Sequence, residues 1–123
     1  MPGMRGLTIV VAEASPQRFR TALNLAAAQG ALGGRARLFL DGAAVALLKP
    51  PLRDDEDATY RKAGLPILPE LLDAAFELGV TVVACQSGLL LADVEASALD
   101  PRIGYGGMVG LLQQLGDDRL VVV

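Results

Sequence analysis

With 123 residues, of which 52% are hydrophobic, the chain has the length and apolar content of a single domain built around one core. Its formal net charge of -3 argues against nucleic acid as a partner, because phosphate backbones are bound by an excess of Lys and Arg. One Cys excludes an internal disulfide and any paired-Cys zinc or redox motif, and the lack of His removes the commonest metal ligand and general base.

Leu7 to Ala12 is an unbroken, β-branched apolar run, as expected of a central parallel strand covered on both faces. Arg5, this run and Ala12-Glu13-Ala14 imitate a secretory leader. The run is at or below the short end of a leader's apolar region, however, and removing it would delete the first strand, so the expectation is a cytoplasmic protein. Ser15-Pro16 then supplies an N-cap with Pro at the first helical position. The helix that follows has Phe19, Ala22, Leu23, Ala26 and Ala27 at helical spacing opposite Arg18, Thr21, Asn24 and Gln29, and it closes at Gly33-Gly34.

A second strand is expected over Ala36 to Asp41, and a short buried helix over Gly42 to Leu48, stopped by Pro50-Pro51. From Pro50 to Pro66 the chain is polar and interrupted. Asp54, Asp55, Glu56 and Asp57 lack the spaced ligands and Gly of a calcium loop and read as a solvated charge run. A third helix, about Ile67 to Leu78, sets Leu68, Leu71, Leu72 and Ala75 against a wet face of Glu70, Asp73 and Glu77 and ends at Gly79. Val80 to Ala84 is the third strand. Leu89-Leu90-Leu91-Ala92 is apolar on every side, which predicts burial against the domain or a partner subunit. Gly104 to Gly107 reads as a turn into a helix carrying Met108, Leu111, Leu112 and Leu115, and Leu120 to Val123 as the last strand. No stretch reaches transmembrane length, so no membrane partner is expected. The alternation of strands and helices predicts a single-domain, three-layer α/β/α sandwich around a mainly parallel sheet of about five strands.

The third strand delivers Cys85, the one side chain suited to nucleophilic chemistry at neutral pH, to its carboxyl end, where open α/β sheets bind ligands. The N–H groups of Ser87, Gly88 and Leu89, at the start of the next helix, are placed to stabilise a thiolate or a bound anion. Gly88 would let a substrate approach the backbone, and Tyr105 would add an aromatic wall. Equally, a lone Cys can be a small buried hydrophobe. The glycines from Gly104 to Gly110 depart from a dinucleotide fingerprint, since the last falls one residue late and no strand of useful length precedes them.

Taken together, the start of strand one and helix one, Phe39 to Leu48, Gly79 to Gly88, Tyr105-Gly106-Gly107 and Asp118-Arg119-Leu120-Val121-Val122 resemble the DsrE/DsrF-like family of small sulfur-handling proteins, over nearly the whole chain. The resemblance implies a parallel-sheet sandwich assembling into homo-oligomers, trimers or hexamers. It also implies a persulfide carrier, a sulfurtransferase-type relay in which Cys85 takes sulfane sulfur from a donor protein and passes it to an acceptor, without metal or organic cofactor. The alternative is a non-catalytic oligomeric or small-ligand-binding subunit in which Cys85 is inert.

Overall fold

The computed structural model describes residues 4–123. In chain order the elements are β1 (Leu7–Val11), α1 (Pro16–Ala31), β2 (Ala36–Leu40), a 3-10 helix (Gly42–Leu48), α2 (Asp57–Lys62), α3 (Leu68–Glu77), β3 (Thr81–Cys85), α4 (Gln86–Ala92), a 3-10 turn (Ala96–Ala98), β4 (Gly104–Gly106), α5 (Met108–Gln113) and β5 (Arg119–Val122). The strands form one parallel sheet in the order β4-β3-β2-β1-β5. The expected α/β/α sandwich is what the chain forms. No helix among the described residues is long and apolar enough to cross a membrane.

Topology distributes the layers. From β1 to β4 each strand adds on the same side of the last, so right-handed crossovers put α1, the 3-10 helix, α3 and α4 on one face. The return from β4 to β5 crosses to the far edge and leaves α5 alone on the other face, where Leu111 sits by Phe39 and Val83. The first face is fully packed. Ile9, Leu38 and Val82 lie in register there, and α1 meets them with Phe19, Ala22, Leu23 and Ala26, all without solvent exposure. Ser15 Oγ accepts from the Arg18 N–H at 3.2 Å with Pro16 opening the helix, as the cap sequence predicts.

The second face departs from a doubly covered sheet. Val10 and Phe39 are buried, but Val83 is half-buried and Leu120 and Val122 are exposed, because one six-residue helix cannot span five strands. Polar groups enter this face as a cluster around one carboxylate. Thr8 Oγ1 donates to Asp118 Oδ2 at 2.8 Å, and Arg35 and Arg37 pair with the same carboxylate. Burial pushes the Asp118 carboxyl up, yet the Thr8 hydrogen bond and the arginines prevail and hold it below the usual range.

Three local expectations are corrected. The stretch Gly104–Gly106, expected as a turn into a helix, is the edge strand β4, paired with β3. Three residues, two of them Gly, carry no strand periodicity, so the pairing is set by the neighbouring strand. Leu90 and Leu91, expected to be buried against the domain or a partner subunit, are exposed within the chain, since α4 is short and turns only Gly88 and Leu89 inward, which leaves a partner subunit as the expected cover. The polar face assigned to α1 is incomplete, because Gln29 is buried and donates to the Arg5 carbonyl at 2.8 Å.

The segment from Pro50 to Pro66 holds α2 and a buried ion cluster. Arg20, whose side chain is 5% exposed, donates to Asp57 Oδ1 at 3.1 Å and to the Pro66 carbonyl at 2.9 Å, with Asp54 Oδ2 at 3.8 Å. Its guanidinium lies 3.6 Å from the Tyr60 ring centroid. Asp54 and Asp57 are therefore structural partners of α1, and only Asp55 and Glu56 of the acidic run are solvated.

Candidate functional site

β3 ends at Cys85 and α4 begins at Gln86, so the thiol stands where the sheet's carboxyl edge meets a helix start. Neighbouring β4 places Gly106 opposite Cys85 and Tyr105 opposite Ala84. Cys85 is buried, 5% exposed, and its Sγ is 3.1 Å from Ser87 Oγ. Burial alone pushes the thiol pKa up. The Ser87 hydroxyl and the backbone N–H groups of Gly88, Gly42 and Ser87 push it down, and their sum holds the thiol below its ordinary value. The stabilisation comes from dipoles and not from a neighbouring cation.

Two expected members of the site, Ser87 and Gly88, are thus brought to the sulfur. The third amide belongs to Gly42 and not to Leu89. Gly42 adopts φ +52, a left-handed conformation that glycine takes freely, and this turns the start of the 3-10 helix toward the thiol. Gly88 is required by packing: a Cβ there would overlap the Val45 side chain and stand 2.5 Å from the Gly42 carbonyl oxygen. The signal for Gly42 was present in Asp41-Gly42 directly after β2, but only the parallel pairing of β2 with β3 makes it a neighbour of Cys85.

Tyr105 is 63% exposed and lines a groove of about 510 Å³ together with Gln86, Leu89, Leu90, Asp93 and Val94. It is therefore one strand over from the sulfur, on the wall of an adjoining surface. Among the described residues no group of three or more His, Cys, Asp or Glu is arranged to hold a metal ion. What the site offers chemically is a shielded thiol that hydrogen bonds favour as thiolate, with no second Cys in the chain to close a disulfide.

No family model matches the chain, and no curated protein matches it in sequence. Among solved structures it is similar to the YchN protein from E. coli, a protein of DsrE-like fold, with 20% sequence identity and a TM-score of 0.67 over 98% of this chain and 100% of that one. At that identity the likeness establishes the fold alone.

Proposed function

We propose that the protein is a DsrE/DsrF-like sulfur-relay protein of the cytoplasm, carrying sulfane sulfur as a persulfide on Cys85. The observation that carries this reading is the set of hydrogen-bond donors around a single strand-end thiol, which favours the thiolate although the residue is buried. The DsrE-like fold is compatible with it. In the loading step the Cys85 thiolate attacks the outer sulfur of a donor persulfide. A new S–S bond forms on Cys85, the donor S–S bond breaks, and the donor leaves as a thiolate. In the delivery step an acceptor thiolate attacks the outer sulfur of Cys85-S-SH and Cys85 departs as a thiolate, stabilised by the same donors. Neither step has a net oxidant or reductant, and neither needs an imidazole base.

Intact-mass spectrometry after exposure to a sulfane donor tests this. The wild-type protein is expected to gain one sulfur, lost again on reduction, and Cys85→Ser to gain none. Equal gain by Cys85→Ser rejects the proposal. The 5% exposure of Cys85 favours a second reading, a non-catalytic oligomeric or small-ligand-binding subunit with an inert thiol. Absence of any gain, together with a thiol that alkylates only after unfolding, would favour it over the carrier reading.

The sparsely covered sheet face supports assembly into a homotrimer or hexamer. Val109 and Leu112 of α5 and Leu120 and Val122 of β5 all face solvent in one chain. Sedimentation at micromolar concentration is expected to show such an oligomer for the wild-type protein and a monomer for Leu112→Glu/Val122→Glu. A wild-type monomer would remove this assignment.

A further inference from the structure

The groove that starts at Gln86, the residue after Cys85, has a chemical character of its own. Leu90 and Tyr105, 85% and 63% exposed, present apolar surface to water, and Val94 continues it. Asp93 and Glu95 stand on the same walls, and no Lys or Arg lines it. Neither carboxylate has an ion-pair partner among the described residues. Lys49 Nζ, close by, donates at 3.0 Å to the Ala92 carbonyl instead. Walls this exposed do not enclose a small molecule. They match a chain laid across them.

The geometry points to this groove as the docking surface for an extended segment of a sulfur acceptor protein, one carrying Arg or Lys beside an apolar side chain. The apolar residue would cover Leu90 and Tyr105, and the cations would meet Asp93 and Glu95. The identity of the partner as an acceptor rests on the reading of Cys85 as a sulfur carrier, whereas the binding does not. Position supports the link, since Gln86 of the groove follows Cys85 and Tyr105 pairs with Ala84. So does chemistry: delivery requires an acceptor thiolate, and two carboxylates alone would suppress it. A basic segment neutralises them and lowers the acceptor thiol's pKa.

The test uses two fluorescein-labelled decapeptides, one of leucine, serine and arginine and the other with glutamate in place of arginine, titrated by anisotropy at low salt. The arginine probe is expected to bind, more weakly as salt is raised, and the glutamate probe not to bind. Asp93→Asn/Glu95→Gln should weaken the arginine probe about 3- to 10-fold, the product of two exposed charge contacts. Leu90→Ser, at an exposed position, should weaken it as well. Cys85→Ser should bind like the wild-type protein, so that failure of the carrier reading and failure of the groove reading remain distinguishable. Equal binding of both probes, no binding of either, or unchanged affinity in the charge variant overturns the proposal. A Leu90→Ser variant that changes the assembly state and not peptide affinity also overturns it, assigning the groove to a second copy of the chain.

Discussion

Replacing Arg20 by alanine is expected to lower folding stability by about 3–5 kcal/mol, the range for breaking a buried ion pair by removing one partner. The side chain is 5% exposed and those of Asp54 and Asp57 are 8% and 16% exposed, so the variant leaves two carboxylates facing each other with little water. It also removes the stacking on Tyr60 that fastens α2 to α1 and the bond to the Pro66 carbonyl just ahead of α3. Domains of this kind are stable by only about 5–15 kcal/mol, so the loss is a large share of the total and should be plain in the urea midpoint. A shift under about 0.5 kcal/mol would show that the cluster is relaxed by solvent.

The same cluster has a pH signature. Burial pushes the Asp57 carboxyl up, but hydrogen bonds from the Asp54 and Leu68 N–H groups and the Arg20 charge together hold it below the ordinary value. A carboxyl with a lowered folded pKa binds fewer protons in the native state. Its contribution is complete above the unfolded pKa and is lost as pH falls through the folded one. Wild-type stability should therefore decline on acidification through the carboxylate range. In Arg20→Ala the carboxylates lack their cation and protonation relieves them, so the gap between the two proteins should narrow as pH falls. A gap constant from neutral pH to about pH 3 would contradict the electrostatic account.

Gly88→Ala is the second substitution expected to have a large effect. In an exposed helix the change would stabilise by about 1 kcal/mol. Here the new methyl group meets the Val45 side chain and the Gly42 backbone, and the 3-10 helix must move to admit it. Overpacking of this sort costs about 1–3 kcal/mol. The displacement carries the Gly42 and Gly88 N–H groups away from the sulfur, so the thiol pKa should rise toward its ordinary value. The pH profile of alkylation by a small reagent reads this directly. Ser87→Ala removes one donor without a clash and should raise the pKa less, with stability almost unchanged. An unaltered profile in Gly88→Ala would mean that those amides do not set the thiolate fraction.

Much of the architecture was legible from local patterns. The β-branched run of β1, the Ser15-Pro16 start of α1, the apolar stripe of α3 and the left-handed Gly33 and Gly79 after α1 and α3 are each decided by neighbours a few residues apart. The position of Cys85 at a strand end before a helix belongs with them, as does the reach of Ser87 and Gly88, which share its turn. Other features depend on residues far apart in the chain, and no local period encodes them. β4 is a strand because β3 offers it an edge, and Arg20 is buried because Asp54 and Asp57 meet it across more than thirty residues. Gly42 reaches Cys85 through the pairing of β2 with β3. Tyr105 and the leucines of α4 are apolar in composition, but whether they lie in the core or on a groove wall depends on which faces the crossovers cover. Backbone propensity and hydrophobic period act over one or two turns, whereas burial, ion pairing and the surroundings of a thiol are set by packing between elements.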